Sequence, residues 1–591
     1  MNIRYTTLIP VLLLLLFGGC DDFLNVNTSK DSPTTITVDQ ALPTACFYAA
    51  QSVYDHAEYG VYLSQALTTP SKSQTGTYAY SQGWEFLSMN RHPQWRRHFY
   101  DLGANINEMI RAAEKINSKN FILIGRTIML QSTMLTTDAF GDMPRSNAYT
   151  STSPTYDTQE QVYEWMFQEA DELVALYEND TWINNPDNIP ITEKMDRIYK
   201  GDLKKWGLYT KALRARLWLR KLPNWENTPA VCNRIVEMVD EVLNDPEWEE
   251  PRYNYPGGTN EQNCPWGTSA PIINAWESRG NRLATSTPTK FFAYGILGTY
   301  PNRLPTRLSA LDPRTEKLMT PRGTGASGSD AIRWLESNIG MDVSMKVTYY
   351  PDLYATTSGT NPYTKNDGYL ALITDEELMF IKAEAQYWGG DKPAAYNTTK
   401  EAVLKNFERL DIKEPVASVD GNNAVKRYKL FFDVRLPGAS TFTIADLMQQ
   451  KFVAMYLQPE QWNDMRRYNY SSKTNGIKYD DVAVYTITTC HKGTGTSFNV
   501  ADFNTEYSLR RPYNLYEPYW MQADAFGTNA ELSPNAWINR LNYDPETEDK
   551  YNRKELERLG AFKNHEWLKK RMIWAYNNSG KATASDPTEW K

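Results

Sequence analysis

Cys20 carries the most specific chemistry in the chain. It closes the run Leu12-Leu13-Leu14-Leu15-Leu16-Phe17-Gly18-Gly19, with Arg4 upstream and Asp21-Asp22 directly after it. The run is too short to span a bilayer. The glycine pair leaves an unhindered extended backbone for a processing enzyme. A thiol in this setting suits bacterial lipoprotein maturation. The sulfur takes a diacylglyceryl group, cleavage frees the Cys20 amine, and a further acyl chain can join it. Each buried CH₂ contributes about 0.8 kcal/mol, so two or three chains anchor firmly where one does not. The expectation is a signal peptide over residues 1–19 and a mature chain lipidated at Cys20, working outside the cytoplasm. An ordinary secretory signal with an incidental cysteine is the alternative. Phe17 stands where lipoprotein signals usually carry leucine.

A second kind of chemistry lies in the aromatic side chains. The sequence has 18 Trp and 38 Tyr, more than amphipathic helices need. In loops, such rings offer flat apolar faces with polar tips, which suits sugars: C–H groups stack on the ring and hydroxyls bond at its rim. Two clusters stand out. Tyr78, Tyr80 and Trp84, with Asn90 near to bond hydroxyls, lie in the polar stretch 71–90. Tyr255, Trp266 and Trp276 lie among Pro and Gly farther on. The competing use of each ring is packing at a helix crossing.

Catalytic and metal-binding patterns are missing. There is no HExxH, GxSxG, Walker loop or strand-flanked GxGxxG. His92 and His98 are off the helical i,i+4 spacing of a metal pair. Cys46, Cys232, Cys264 and Cys490 form no CxxC, which leaves a Cys232–Cys264 disulfide and four buried thiols both open. No cofactor and no metal are expected, and the chain is expected not to be an enzyme. Two distant carboxylates could still build a secreted, lipid-anchored glycoside hydrolase. The formal charge of −8 makes nucleic acid a poor partner. With a mean hydropathy of −0.60 and no second long apolar run, the mature chain is expected to be soluble apart from its lipid.

The elements that must position these groups are mostly helical. Apolar periodicity predicts helices over Asn105–Lys115, Phe121–Ala139, Leu203–Leu222, Ala230–Leu243, Asp375–Trp388, Pro393–Arg409 and Ile444–Leu457. Another opens at Thr158, capped through Gln161. Gly141 and Pro144 stop the second helix. Short strands are expected at Lys346–Tyr350 and Val482–Thr488. The chain divides into an N-terminal helical scaffold at 20–245 that includes the aromatic loop 71–90, a loop-rich ligand-binding region at 246–370, a helical continuation at 371–470 and a loop-rich C-terminal region at 471–591.

Several motifs, in order along the chain, resemble one family. Asp22-Phe23-Leu24-Asn25-Val26-Asn27 is similar to the start of mature SusD/RagB-type lipoproteins. Asp138-Ala139-Phe140-Gly141-Asp142-Met143-Pro144, with Tyr156-Asp157-Thr158-Gln159-Glu160 and Tyr163, resembles a signature of that family. So do Gly201-Asp202 with Trp206 and Leu213-Arg214-Ala215-Arg216-Leu217, the turn Asp312-Pro313-Arg314, the helix Glu377 to Glu384, and Gln450-Lys451 with Trp462 and Arg466-Arg467-Tyr468. Tyr543, Pro545, Glu546 and Asn552 are a looser match. Physically these segments are scaffold: Arg466 and Arg467 are expected to hold carboxylates such as Glu384 or Glu377 across helices.

The resemblance implies a mainly α fold, with tetratricopeptide-like helix pairs in a superhelix, a loop-rich, partly irregular ligand-binding part and few short strands. It implies a protein that binds a nutrient, most often an oligosaccharide and in some members a peptide. It also implies a position at the outer membrane, facing the cell exterior and held by the N-terminal lipid, with delivery to a SusC-like, TonB-dependent β-barrel transporter. Relatives draw sugar-stacking residues from the chain regions that hold Tyr78–Asn90 and Tyr255–Trp276.

Overall fold

In the computed structural model the residues described are 37–68, 92–151, 153–222, 229–269, 361–413, 435–491 and 537–575 except 565, with short pieces at 283, 286–289, 291–298, 312–319, 352–354, 431–433 and 503–509. Helix α1, Val38–Leu63, opens with a capping box between Thr37 and Gln40 and is buried on every side from Ala49 to Leu63. A helix enclosed all round has no polar face, so its sequence shows no amphipathic stripe. That is why α1 escapes a periodicity reading.

The chain then runs through a π-helical stretch, Arg97–Ala104, straight into α2, Asn105–Lys115. Helix α3, Lys119–Phe140, stops where Gly141 takes φ 87°. A side chain would be strained at that angle, and an added Cβ would meet the Arg540 guanidinium. Helix α4, Gln159–Tyr177, carries the expected capping box: Gln161 N donates to Thr158 Oγ1 at 3.3 Å and Thr158 N donates to Gln161 Oε1 at 2.9 Å.

Helix α5, Leu203–Leu219, is capped by Asp202, whose Oδ1 accepts from Lys205 N at 3.1 Å. There follow α6 (Pro229–Leu243), α7 (Asp375–Trp388), α8 (Lys392–Arg409), α9 (Ile444–Ala454) and α10 (Glu460–Arg467). From α2 to α9 each helix packs on the next, while α1 is clasped by α2, α3 and α10. The expected mainly α architecture is present. Two helices end earlier than periodicity suggests: α5 stops at Leu219 rather than Leu222, and α9 stops at Ala454, before Leu457 at φ 63°.

Strands are short and pair in antiparallel twos. β1 (Leu67–Thr68) pairs with β3 (Thr287–Pro288), β2 (Arg252–Asn254) with β4 (Tyr369–Ala371), and β5 (Thr486–His491) with β6 (Phe503–Ser508). The strand expected from Val482 starts only at Thr486. Residues Tyr479 to Val482 form a tight turn instead, with Asp480 and Asp481 both at positive φ, 49° and 62°. The strand expected at Lys346–Tyr350 lies outside the described residues.

Cys46, Cys232 and Cys264 are free buried thiols, so Cys232 and Cys264 form no disulfide. Burial pushes Cys232 up to about 11 and Cys264 up to about 12. Among the described residues no helix is long and apolar enough to cross a membrane.

Candidate ligand-binding site

The recognisable motifs build a buried polar frame. Arg467 Nη2 donates to Glu384 Oε1 and Oε2 at 2.8 and 2.7 Å, joining α10 to α7. Lys451 Nζ of α9 sits 2.9 Å from Asp464 and 3.6 Å from Glu384. The Asp312-Pro313-Arg314 turn closes on itself, because Arg314 Nε and Nη2 reach Asp312 Oδ1 and Oδ2 at 2.9 and 2.6 Å. Arg314 Nη2 also donates to Gln450 Oε1 at 2.5 Å. Two motifs far apart in sequence are thereby one contact.

The expectation for Arg466 and Glu377 needs correction. Arg466 Nη1 donates to two carbonyl oxygens, of Asp138 at 2.5 Å and of Asn539 at 2.8 Å. Its guanidinium lies 3.5 Å from the centre of the Trp462 ring. Glu377 is held instead by Arg216, with Nε–Oε1 at 2.5 Å and Nη2–Oε2 at 2.9 Å. A guanidinium fork matches a carboxylate in this two-bond geometry.

Asp138 is the node that the sequence reading left unassigned. Its carboxylate accepts from Arg220 at 3.0 Å, from Trp574 Nε1 at 2.9 Å, and from Tyr163. An aspartate inside an otherwise apolar helix was the available signal, since a charge is buried there only when it is paired.

On this frame sits the first part of the loop-rich region. Gly257 and Gly258 turn the chain at φ 70° and 96°. Beyond the β2–β4 ladder, Tyr255 N donates to Gly368 O at 2.9 Å and Cys264 N to Asn366 O at 2.8 Å. Trp266 packs edge-on against Tyr54 of α1, with ring centroids 4.6 Å apart. Tyr255 packs against Tyr253 at 5.1 Å, and Tyr253 against Phe47 at 6.0 Å.

Tyr255 and Trp266 are only 5% and 4% exposed. The void beside Trp266, bordered by Tyr363, Tyr369 and Arg409, is about 10 Å³, the space of one water. Both rings therefore anchor the loop block to α1 and present no open face. Burial raises the Tyr255 hydroxyl well above its ordinary value. That hydroxyl has no hydrogen-bond partner among the described residues.

Of the expected site residues, the structure thus brings Tyr255 and Trp266 into one buried neighbourhood. Tyr78, Tyr80, Trp84, Asn90 and Trp276 lie outside the described residues, as does Cys20. Among the described residues no cluster of His, Cys, Asp and Glu could hold a metal ion. His56, His92 and His98 are all buried. His56 and His98 are held below the ordinary imidazole value by burial, His98 at about 3.

Comparison with known proteins agrees with this architecture. A SusD/RagB family protein from Bacteroides thetaiotaomicron superposes with a TM-score of 0.61 at 17% identity, covering 91% of this chain and 99% of that one. A SusD homolog from Parabacteroides distasonis gives 0.58 at 19% identity, covering 92% and 98%. A chitin-binding SusD homolog from Flavobacterium johnsoniae gives 0.56 at 16% identity, covering 92% and 99%. At such identities the likeness is one of fold. None of the curated proteins compared with the chain matches it. The SusD-like family model, described as "Starch-binding associating with outer membrane", matches residues 30–485. The chain belongs to the SusD-like family.

Proposed function

We propose that the chain is a cell-surface lipoprotein that binds a glycan and hands it to a SusC-like, TonB-dependent outer-membrane barrel. The observation that carries this reading is the family match across residues 30–485, supported by full-length agreement of fold with SusD homologs. The family description names starch, and one structural neighbour is chitin-binding. A neutral oligosaccharide is therefore the ligand class. Cys20 carries the lipid, and the anchored body stays at the outer membrane.

Tyr78, Tyr80, Trp84 and Trp276 supply the stacking faces, and Asn90 bonds hydroxyls. Tyr255 and Trp266 tie the segment that precedes Trp276 to α1. Rigid support of this kind lowers the entropy lost when a ligand orders the loops. The work done is binding and hand-over, with no bond cut.

The test uses the purified mature chain with starch and chitin oligosaccharides. Saturable binding without new reducing ends, and co-purification with a large barrel after mild detergent extraction, are expected. Hydrolysis would point to the lipid-anchored glycosidase reading. Binding of oligopeptides in place of both sugars would move the protein to the family's peptide binders.

A further inference from the structure

A polar cleft of about 460 Å³ opens between α9 and the turn that feeds β5. That volume lies within the range of about 300–1,000 Å³ typical of small-molecule sites. Its walls come from Arg435, Asp446, Gln449, Lys473, Lys478 and Asp481, with Thr488 at the edge. No aromatic ring lines it among the described residues, so stacking plays no part in what it can hold.

The lining is charged but balanced. Arg435, Lys473 and Lys478 face Asp446 and Asp481, and Lys473 Nζ is paired at 2.9 Å with Glu506 Oε2. An anion entering the cleft would meet two carboxylates, and a cation would meet three positive groups. A neutral ligand meets neither penalty. A sugar hydroxyl is both donor and acceptor, so neighbouring hydroxyls can give to a carboxylate and take from an ammonium at once.

The groups are also held in place. Gln449 Nε2 donates to Val484 O at 2.9 Å and to Thr486 O at 3.3 Å, which fixes the amide and leaves Oε1 as an acceptor. Asp446 Oδ2 accepts from Thr443 N at 2.8 Å and from Thr443 Oγ1 at 2.7 Å. Arg435 Nη2 is tied to the carbonyls of Gly295 and Ile296 at 3.3 and 3.2 Å, and its buried Nε has no partner among the described residues. Asp481 stands on the tight turn at φ 62°, a conformation most side chains avoid. Lys478 has no ion-pair partner among the described residues, so its ammonium is available. The cleft thus offers fixed donors and acceptors of both signs around a space that fits a mono- or disaccharide unit.

We propose that this cleft is a second carbohydrate subsite, which takes a neutral, hydroxyl-rich sugar unit by hydrogen bonding alone, separately from the aromatic loops. It rests on the glycan-binding reading above and adds a place on the opposite kind of chemistry.

The test uses maltohexaose and chitohexaose carrying a photoreactive diazirine at the reducing end, cross-linked to the full mature chain and mapped by peptide mass spectrometry. Label is expected in 443–450 or 473–488. It should fall about tenfold in Lys478→Ala and in Gln449→Ala, the size of losing one good polar contact, and persist in Trp84→Ala. Circular-dichroism melting checks that both variants stay folded; Lys478 is exposed and its variant is the cleaner of the two. Label confined to other segments overturns this subsite and leaves the glycan reading standing. No label from either sugar overturns both. Label unchanged in both variants, or displaced better by oligogalacturonate than by the neutral sugars, also overturns it.

Discussion

Arg467 of α10 and Glu384 of α7, 83 residues apart, are joined by two hydrogen bonds and neither side chain is reached by solvent. Tyr468 Oη donates to the same carboxylate at 2.7 Å. Burial alone would raise Glu384, but Arg467 and Lys451 overturn that and hold it below its ordinary value. Breaking one side of a buried pair leaves an uncompensated charge and costs about 3–5 kcal/mol. Arg467→Met should therefore lower the urea midpoint strongly. The double change Arg467→Met with Glu384→Met should recover most of the loss, because a matched apolar pair removes both charges. An unchanged midpoint in the single variant would show that the pair is not what holds α7 to α10.

The buried Tyr255 hydroxyl gives the opposite expectation. An unsatisfied buried polar group costs about 1–3 kcal/mol, so Tyr255→Phe should leave the melting temperature unchanged or raise it by a few degrees. Trp266→Ala should lower it by many degrees, since it empties the contact with Tyr54 and loses about 3–5 kcal/mol. Thermal melting followed by near-ultraviolet dichroism separates the two. Wild-type melting of Trp266→Ala would contradict its anchoring role.

His98 makes stability fall on acidification. It is buried, with Nδ1 2.9 Å from Ser132 Oγ, and burial holds it at about 3 instead of 6.5. A depressed histidine is neutral when folded, while the unfolded chain takes up protons as pH drops through 6.5. Stability is thus fully present above that pH and is lost below it, until pH reaches about 3. Between pH 7 and pH 5 the loss is about 2 kcal/mol from this residue. Glu384 adds a further loss below pH 4.5, while Glu377, raised chiefly by burial, works against it. His98→Gln should make the melting-temperature profile shallower between pH 7 and pH 5, with the remaining slope coming from His56, which burial also holds below its ordinary value. A profile as steep as wild type would remove His98 as its source.

The proposed function places the lipid anchor on Cys20. Cys20→Ala should abolish labelling by radioactive palmitate and release or misprocess the chain. Continued lipid labelling of a membrane-bound variant would contradict lipidation at this position.

Much of the scaffold was legible because amphipathic helices and their caps announce themselves locally. Thr158 with Gln161 and Gly141 are cases where one residue type solves one backbone problem. Helix α1 was not legible over Ala49–Leu63, where burial on all sides leaves no stripe. Nor were the partners of Arg466 and Glu377, because nothing local in the sequence says which of several buried charges meet. Asp138, which gathers Arg220, Tyr163 and Trp574 from three distant segments, is the same problem at its sharpest. For the aromatic clusters, a tryptophan that stacks on sugar and one that plugs a core look alike in sequence. Trp266 proved to be of the second kind in its placement.

The most direct measurement is isothermal titration of the purified mature chain with maltohexaose and chitohexaose, wild type beside Trp84→Ala. One stacking ring contributes about 1–3 kcal/mol, by analogy with bases on aromatic platforms. The account predicts saturable binding of at least one of these sugars, weakened about tenfold or more in Trp84→Ala at an unchanged melting temperature. Absence of saturable binding to both, with the wild-type chain folded, would contradict it.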